Sequence, residues 1–404
     1  MMAKKQITIL GATGTIGQNT LELIDQHQEK FSLVGLTAHC DTKNLAKLAM
    51  KYQPACLALS DDSVAVKTSW QEWQNIMPDL KNIPIGFGEK ALVDVAAQSV
   101  DLSVVGIVGI AALKPIWHAL LAGHHIALAN KEAIVAAGHL ILPSYKNKIL
   151  PIDSEHNAIF QCLLGQDKEA LKKIILTASG GPFLRRDKNT FSTITPDEAV
   201  MHPRWQMGKK ISVDSATLFN KGLEMIEAAH LFALTPSQID IVIHPESFVH
   251  SFVMFGDGSY LAQMGRADMK IPISFALAYP KRLAEKNSQK NGVAELIKYK
   301  AMHFETPDET KFLSLRLARE ALVASGSAPL VLNSSNEWLV EKFLAGAIDF
   351  TAIEKGVAYM LENMVLPVAK DIHQAIEQDK EIKIKTNEWL MKHQNIKIQK
   401  YKHA

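Results

Sequence analysis

Short apolar runs separated by amphipathic stretches set the pattern of the first 150 residues. Gln6, Ile7, Thr8, Ile9 and Leu10 read as a buried strand, and Leu21, Leu23 and Ile24 then follow at helical spacing. Further strands are predicted at 31–37, 55–59, 83–86, 102–105, 126–128 and 149–152, with helical stretches between them. Repeated βα units of this kind predict an α/β fold with a Rossmann-type, doubly wound parallel sheet, whose ligands sit beyond the carboxyl ends of the strands. After residue 157 the pattern changes. A helix carrying Ala158, Ile159, Phe160, Leu163 and Leu164 leads to strands at 173–177, 239–243, 248–255 and 259–263, the last two joined by a hairpin signal at Gly256-Asp257-Gly258. The last three of these strands, expected to be antiparallel, predict an α+β domain. From Lys311 onward, Leu313, Leu317, Ala321 and Leu322 give the apolar face of a C-terminal helical domain. The expected division is a nucleotide-binding domain at 1–152, an α+β catalytic domain at 153–280 with a mobile loop at about 185–210, a linker at 281–310 and the helical domain at 311–404.

Gly11, Gly14 and Gly17 lie between the first strand and the first helix. A tight turn there brings backbone N–H groups and the positive end of a helix toward a pyrophosphate, so the stretch reads as dinucleotide-binding; a glycine-rich turn without a ligand is the alternative. The second strand runs into Ala38-His39-Cys40-Asp41-Thr42-Lys43, where the ribose should be read. An acid suits the 2′-hydroxyl of NAD and a cation the 2′-phosphate of NADP, and this segment holds both.

The apolar run at 149–152 stops at Asp153-Ser154-Glu155. In an extended segment the two acids would share one side, where they tolerate each other mainly with a proton or a cation between them. A cluster of hard oxygen donors favours Mg²⁺ or Mn²⁺, whereas the plain alternative is a strand-end turn with a helix cap. Farther on, Ser179-Gly180-Gly181 follows a strand and offers a hydroxyl with N–H groups, which suits a phosphate, with a plain turn as the alternative. His202-Pro203-Arg204-Trp205, in a polar stretch, reads either as a lid able to exclude water or as a loop that its Trp anchors to the core. Asn220, Lys221 and Glu224 fall on one helix face, an amide and an ammonium for phosphate and a carboxylate for metal, or else a solvated polar face. His244, Glu246 and His250 are assigned structural or surface roles.

Composition narrows the class without naming a partner. With 44 Lys+Arg against 42 Asp+Glu in 404 residues, the net charge of +2 gives no pull toward nucleic acid. Cys40, Cys56 and Cys162 are widely spaced, which argues against a disulfide framework and for a reducing compartment. The apolar run near the start is too short for a signal peptide, and 102–113 falls short of the roughly 20 residues of a membrane span. A soluble, cytoplasmic protein is expected.

Taken together, 11–17, Ala129-Asn130-Lys131-Glu132, 151–157, 179–183, His202-Pro203-Arg204-Trp205 and 215–224 closely resemble the 1-deoxy-D-xylulose 5-phosphate reductoisomerase family, in order along nearly the whole chain. The resemblance implies an enzyme that rearranges and reduces 1-deoxy-D-xylulose 5-phosphate to 2-C-methyl-D-erythritol 4-phosphate with NADPH and Mg²⁺ or Mn²⁺, in the non-mevalonate isoprenoid pathway, as a homodimer. It implies metal ligation by Asp153, Glu155 and Glu224, sugar contacts from Ser154 and Lys131, and a phosphate pocket of Ser179, Ser215, Asn220 and Lys221. It further implies a substrate contact from His202, closure by Trp205, and a nucleotide site of Thr13, Gly14, Thr15, Ile16, Asn130, Glu132 and Gly208. Lys131, His202 and the three acids would be the catalytic set. At Ala38-His39-Cys40-Asp41 the chain departs from the family pattern, leaving His39 and Lys43 as compensating cations for NADPH.

Two other classes compete. A metal-independent semialdehyde dehydrogenase with the same first domain needs an activated cysteine, for which Cys162 on an apolar helix is a poor candidate. A nucleotide-sensing regulator has no use for clustered carboxylates beside a phosphate pocket.

Overall fold

The computed structural model describes residues 3–205, 207–284 and 296–401. Residues 285–295 of the expected linker, Gln206 of the expected lid and the side chains of the lysine-rich tail beyond His393 lie outside the described residues. The chain packs as two compact units, one of Met1–Asn130, Pro143–Asn157 and Asp268–Lys300, the other of Lys131–Leu142, Ala158–Ala267 and Ala301–Ala404. These units do not follow the expected boundaries at 152, 280 and 310.

In the first unit seven strands form one parallel sheet: β1 (Lys5–Leu10), β2 (Phe31–Ala38), β3 (Cys56–Leu59), β4 (Ile85–Phe87), β5 (Leu102–Val105), β6 (His125–Leu128) and β7 (Ile149–Pro151). Their order is β4-β3-β2-β1-β5-β6-β7, so the winding reverses between β1 and β5. A sheet covered on both faces buries successive residues, which is why Ile7, Ile9 and Leu10 in β1 and Leu102, Val104 and Val105 in β5 are all inaccessible and the runs are continuous rather than alternating. Helix Lys270–Ala278, far along the chain, returns to this unit. It buries Ile273, Phe275 and Leu277, accepts a hydrogen bond from Lys5 Nζ at the Leu277 carbonyl (3.0 Å), and pairs Lys270 with Glu22.

The second unit holds a mixed sheet of β8 (Leu171–Ala178), β9 (Ile239–Ile243), β10 (Val249–Phe255) and β11 (Tyr260–Met264), in the order β11-β10-β8-β9. β10 is antiparallel to β11, as expected, and also to β8, but β9, expected among the antiparallel strands, runs parallel to β8. The connection between them carries helices Lys209–Thr217 and Phe219–Phe232, and a crossover of that length brings the chain back in the same direction.

The C-terminal helices Leu313–Ala324, Ala328–Leu344 and Phe350–Asn363 have no core of their own. Phe312, Leu315, Val340, Phe343 and Phe350 join Ile174, Leu176, Phe219, Leu223, Ile226 and Val253 in one apolar cluster. Phe191, Ile194 and Ala199 belong to it too, and Phe191 sits 5.8 Å ring to ring from both Phe312 and Phe350. Much of the stretch expected to be a mobile loop is therefore anchored. It forms a 3₁₀ turn at Lys188–Thr193 and a short helix at Pro196–Ala199, which Thr195 and Glu198 close with a capping box.

Candidate active site

In the first unit the glycines do what the turn requires. Gly11 has φ +89°, and a Cβ on it would stand 3.1 Å from the Gly106 carbonyl, so the turns after β1 and β5 meet closely at the switch point. A Cβ at Gly17 would lie 2.5 Å from the Gly11 oxygen. Gly14 starts helix Thr15–Gln26 with no side-chain cap, so no capping side chain takes up the first N–H groups of this helix. Asn130, after β6, donates to the carbonyls of Ile107 (2.9 Å) and Gly109 (2.8 Å) and shapes the opposite wall. At the end of β2, Asp41 caps helix Thr42–Tyr52, accepting from the Asn44 N–H at 3.1 Å and the Asn44 amide at 2.8 Å. His39 bonds Ser60 at 2.9 Å, and His39 and Lys43 are exposed.

Beyond β7 the acidic pair is not on extended backbone. Helix Ser154–Leu163 starts at once, with the Asn157 N–H donating to the Asp153 carbonyl at 2.8 Å. Asp153 precedes the helix and Glu155 stands in its first turn, where the helix dipole favours negative charge. Ser154 donates to Glu155.

In the second unit the helix spacing works as expected. Helix Phe219–Phe232 begins directly after Leu218, whose φ of +63° turns the chain sharply out of the preceding helix. It presents Asn220, Lys221 and Glu224 together. Lys131 Nζ donates to Asn220 Oδ1 at 2.6 Å and to Glu224 Oε1 at 3.1 Å, while the Asn220 amide and Lys221 Nζ also donate to Glu224. The side chains of Lys131 and Lys221 are only 5% and 4% exposed and that of Glu224 1%. Two buried ammoniums and an amide thus converge at one point, donors of the kind that suit a phosphate.

The phosphate turn follows β8. Gly181 has φ +66°, its N–H donates to Ser179 Oγ at 3.2 Å, and a Cβ on it would fall 2.4 Å from the carbonyl oxygen of Ser215. The Ser179 turn and the helix carrying Ser215 are thus in direct backbone contact. His202 Nδ1 accepts from the N–H groups of Arg204 (3.1 Å) and Trp205 (2.9 Å), so its proton resides on Nε2, which donates to Ser179 Oγ at 3.0 Å. Burial pushes His202 down to about 4, keeping it neutral. Ser179 Oγ accepts twice and retains its own hydrogen to donate.

His250, given only a structural or surface role from sequence, lies 6.3 Å ring to ring from Trp205 and is pushed down to about 4 by burial, against the Gly265 and Arg266 backbone. Strand alternation gives it no signal, since Val249, His250 and Ser251 are all buried. Unfolded, both histidines take up protons near pH 6.5. The folded state therefore loses stability as pH falls from about 6.5 toward about 4 and gains nothing from them above that window. His244 is structural, accepting from Phe248 and Val249 N–H groups (3.2 Å each) and bonding the His303 carbonyl at 2.9 Å.

Glu132 and Gly208, expected at the nucleotide, have partners within this unit. Glu132 is buried against Lys210 at 2.6 Å, and the Gly208 carbonyl accepts from the Ser212 N–H and hydroxyl. Burial pushes the Cys162 thiol up to about 11, which makes it a poor nucleophile. Asp153 and Glu155 in the first unit, and Glu224 and Glu227 in the second, offer carboxylate oxygens of the kind a hard divalent ion takes.

Residues 7–138 match the family described as 1-deoxy-D-xylulose 5-phosphate reductoisomerase, and 149–232 and 264–385 match its two C-terminal domain families. A reductoisomerase of Acinetobacter baumannii (strain ATCC 17978) is 42% identical over 390 residues, 93% of this chain and 96% of its own. The chain belongs to the 1-deoxy-D-xylulose 5-phosphate reductoisomerase family. The Cupriavidus pinatubonensis reductoisomerase is 44% identical over 383 residues, 93% of this chain and 94% of its own. The reductoisomerase of Zymomonas mobilis in complex with NADPH superposes with a TM-score of 0.86 at 36% identity, covering 96% of this chain and 99% of that one. A reductoisomerase bound to NADPH, fosmidomycin and magnesium gives 0.86 at 39%, covering 96% and 98%. As a reductoisomerase the chain is an enzyme, which sets aside the regulator and the cysteine-dependent dehydrogenase. Among the described residues, no helix is long and apolar enough to cross a membrane.

Proposed function

We propose that Asp153, Glu155 and Glu224 hold Mg²⁺ or Mn²⁺, and that the buried Lys131, Asn220, Lys221 and Glu224 cluster binds 1-deoxy-D-xylulose 5-phosphate for its rearrangement and reduction to 2-C-methyl-D-erythritol 4-phosphate. The convergence of two buried ammoniums and an amide on Glu224 carries this reading. The cation, when bound, supplies Lewis acidity to the substrate's ketone and adjacent hydroxyl. NADPH supplies the hydride. Lys131 orients those oxygens and holds or moves a proton at Nζ. Ser179, Ser215, Asn220 and Lys221 take the phosphate, remote from the reacting carbons, so that its binding energy serves orientation. Ser154 contacts the sugar. Neutral His202 fixes the Ser179 hydroxyl and, through Nδ1, the backbone of Trp205, whose ring covers the substrate and excludes water. Incubation with NADPH, Mn²⁺ and the sugar phosphate should consume NADPH, and EDTA should stop it; unchanged turnover in EDTA overturns the metal assignment.

At the nucleotide, the turn after β1 with Thr13, Gly14, Thr15 and Ile16 receives the pyrophosphate. Asp41 is engaged as a helix cap rather than as a ribose acceptor, and His39 and Lys43 face the 2′-phosphate. kcat/KM should favour NADPH over NADH by about tenfold or more, the effect of roughly one charge-assisted hydrogen bond; equal values defeat the assignment. We further propose a cytoplasmic homodimer. Its support is the edge strand β11, which exposes Tyr260, Leu261 and Met264. Light scattering should give twice the 44.6 kDa chain mass, and a mass of 44.6 kDa overturns it.

A further inference from the structure

We propose that Lys210 is a positioning residue for this reaction, its buried ammonium locking the Lys131 turn and the Ser215 helix into one register. The inference rests on the site roles given above to Lys131 and Ser215. Lys210 lies in the first turn of helix Lys209–Thr217, and its Nζ stands 2.6 Å from Glu132 and 2.8 Å from Asp214. These side chains are 16%, 8% and 2% exposed. Glu132 is the neighbour of Lys131, and Asp214 is the neighbour of Ser215. One cation therefore ties together two segments that lie 78 residues apart and each carry a substrate contact.

The lock is anchored from behind. The second oxygen of Asp214 accepts from the amide of Asn336 at 2.8 Å, and Asn336 is wholly inaccessible on helix Ala328–Leu344. Glu337, the next residue, faces Lys210 and pairs with Lys383 at 2.8 Å, which pairs in turn with Asp379 at 3.0 Å on the last helix. Burial alone would lower the proton affinity of Lys210, but Asp214, Glu132 and Glu337 outweigh it and hold the group charged.

A buried ion pair adds little net stability over well-packed apolar side chains, so stability is a poor account of this arrangement. Geometry is a better one. A site whose Lys131 must meet Asn220 and Glu224 tolerates errors of only about 0.5 Å, and supporting residues set that tolerance.

The test compares Lys210→Met, which keeps the apolar stem, with Lys210→Arg, which keeps the charge and can pair both carboxylates. Active sites are counted by NADPH fluorescence titration, and kcat and KM are measured per site at saturating NADPH and Mn²⁺. Lys210→Met should lose about 100-fold in kcat per site, the cost of roughly 1 Å of misplacement, with a raised KM for the sugar phosphate. Lys210→Arg should recover at least about a tenth of wild-type turnover, because its fork restores both pairs. A Lys210→Met protein with fewer sites or a lower Tm but normal kcat per site overturns the inference. If that variant does not fold, Lys210→Met/Asp214→Asn, which removes a cation and an anion together, takes its place: the same loss in kcat per site supports the positioning role, and normal kcat per site overturns it. Lys131→Met runs alongside: full turnover in it overturns the role of Lys131, whereas loss in it with normal turnover in the Lys210 variants overturns only the positioning role.

Discussion

Glu224→Gln should lower kcat by about 1,000-fold, the scale of losing a preorganised charge at the reacting centre, while leaving NADPH affinity near wild type. The side chains have the same shape, so the effect isolates charge. Three changes coincide in this variant. The proposed metal set loses one of its carboxylates, and an amide oxygen is a weaker partner for a hard divalent ion. Lys131 and Lys221, both nearly inaccessible, lose the anion they share. The Asn220 amide, which donates to Glu224 Oε1, then faces an amide able to turn either way. Mn²⁺ affinity, read by electron paramagnetic resonance of the free ion, should fall about 100-fold, at the upper end for disturbing a metal's ligand environment. Retained turnover with unchanged Mn²⁺ binding would remove Glu224 from the metal site.

Gly181→Ala is the second large effect, and it comes from backbone rather than charge. The residue sits at φ +66°, which costs an L side chain about 1–2 kcal/mol. Its new methyl would also lie 2.4 Å from the Ser215 carbonyl, a backbone atom that no rotamer change can move aside. Relieving that overlap adds about 1–3 kcal/mol of packing strain and pushes the Ser179 turn away from Ser215. The two residues proposed as phosphate contacts separate as a result, so kcat/KM for the sugar phosphate should fall about 100-fold, together with a lowered Tm. Gly180→Ala is the internal control: φ is +86°, but the methyl meets the end of the Leu184 side chain at 2.7 Å, which has rotamers to offer. Equal losses in the two variants would show that the left-handed backbone matters and the approach to Ser215 does not.

What the chain disclosed in advance follows from how local each feature is. Buried parallel strands must be apolar on both faces, so β1 to β7 stood out as runs, and Gly11, Gly14 and Gly17 marked the turn that needs them. Asn220, Lys221 and Glu224 were legible because a helix converts their spacing into a shared face. Asp153 and Glu155 were expected on extended backbone, but the strand that ends in Asp-Ser-Glu passes into a helix without an intervening loop. The parallel run of β9 beside β8 depends on a crossover of about 60 residues, whose direction no short window contains. The same holds for Lys210 with Glu132 and for Trp205 with His250, contacts between distant segments that leave no local period.

The route of the chain between the two units has a practical consequence. Each unit is assembled from three separate segments, so neither can be excised as a continuous piece. A fragment ending near residue 152 would hold all seven strands of the nucleotide sheet yet lack helix Lys270–Ala278, baring the surface that Ile273, Phe275 and Leu277 cover. The cofactor-binding half is not a transplantable module. Gene fusions, domain swaps or split reporters built at that boundary should yield insoluble protein, and any fragment meant to keep the nucleotide sheet covered must run on past Ala278.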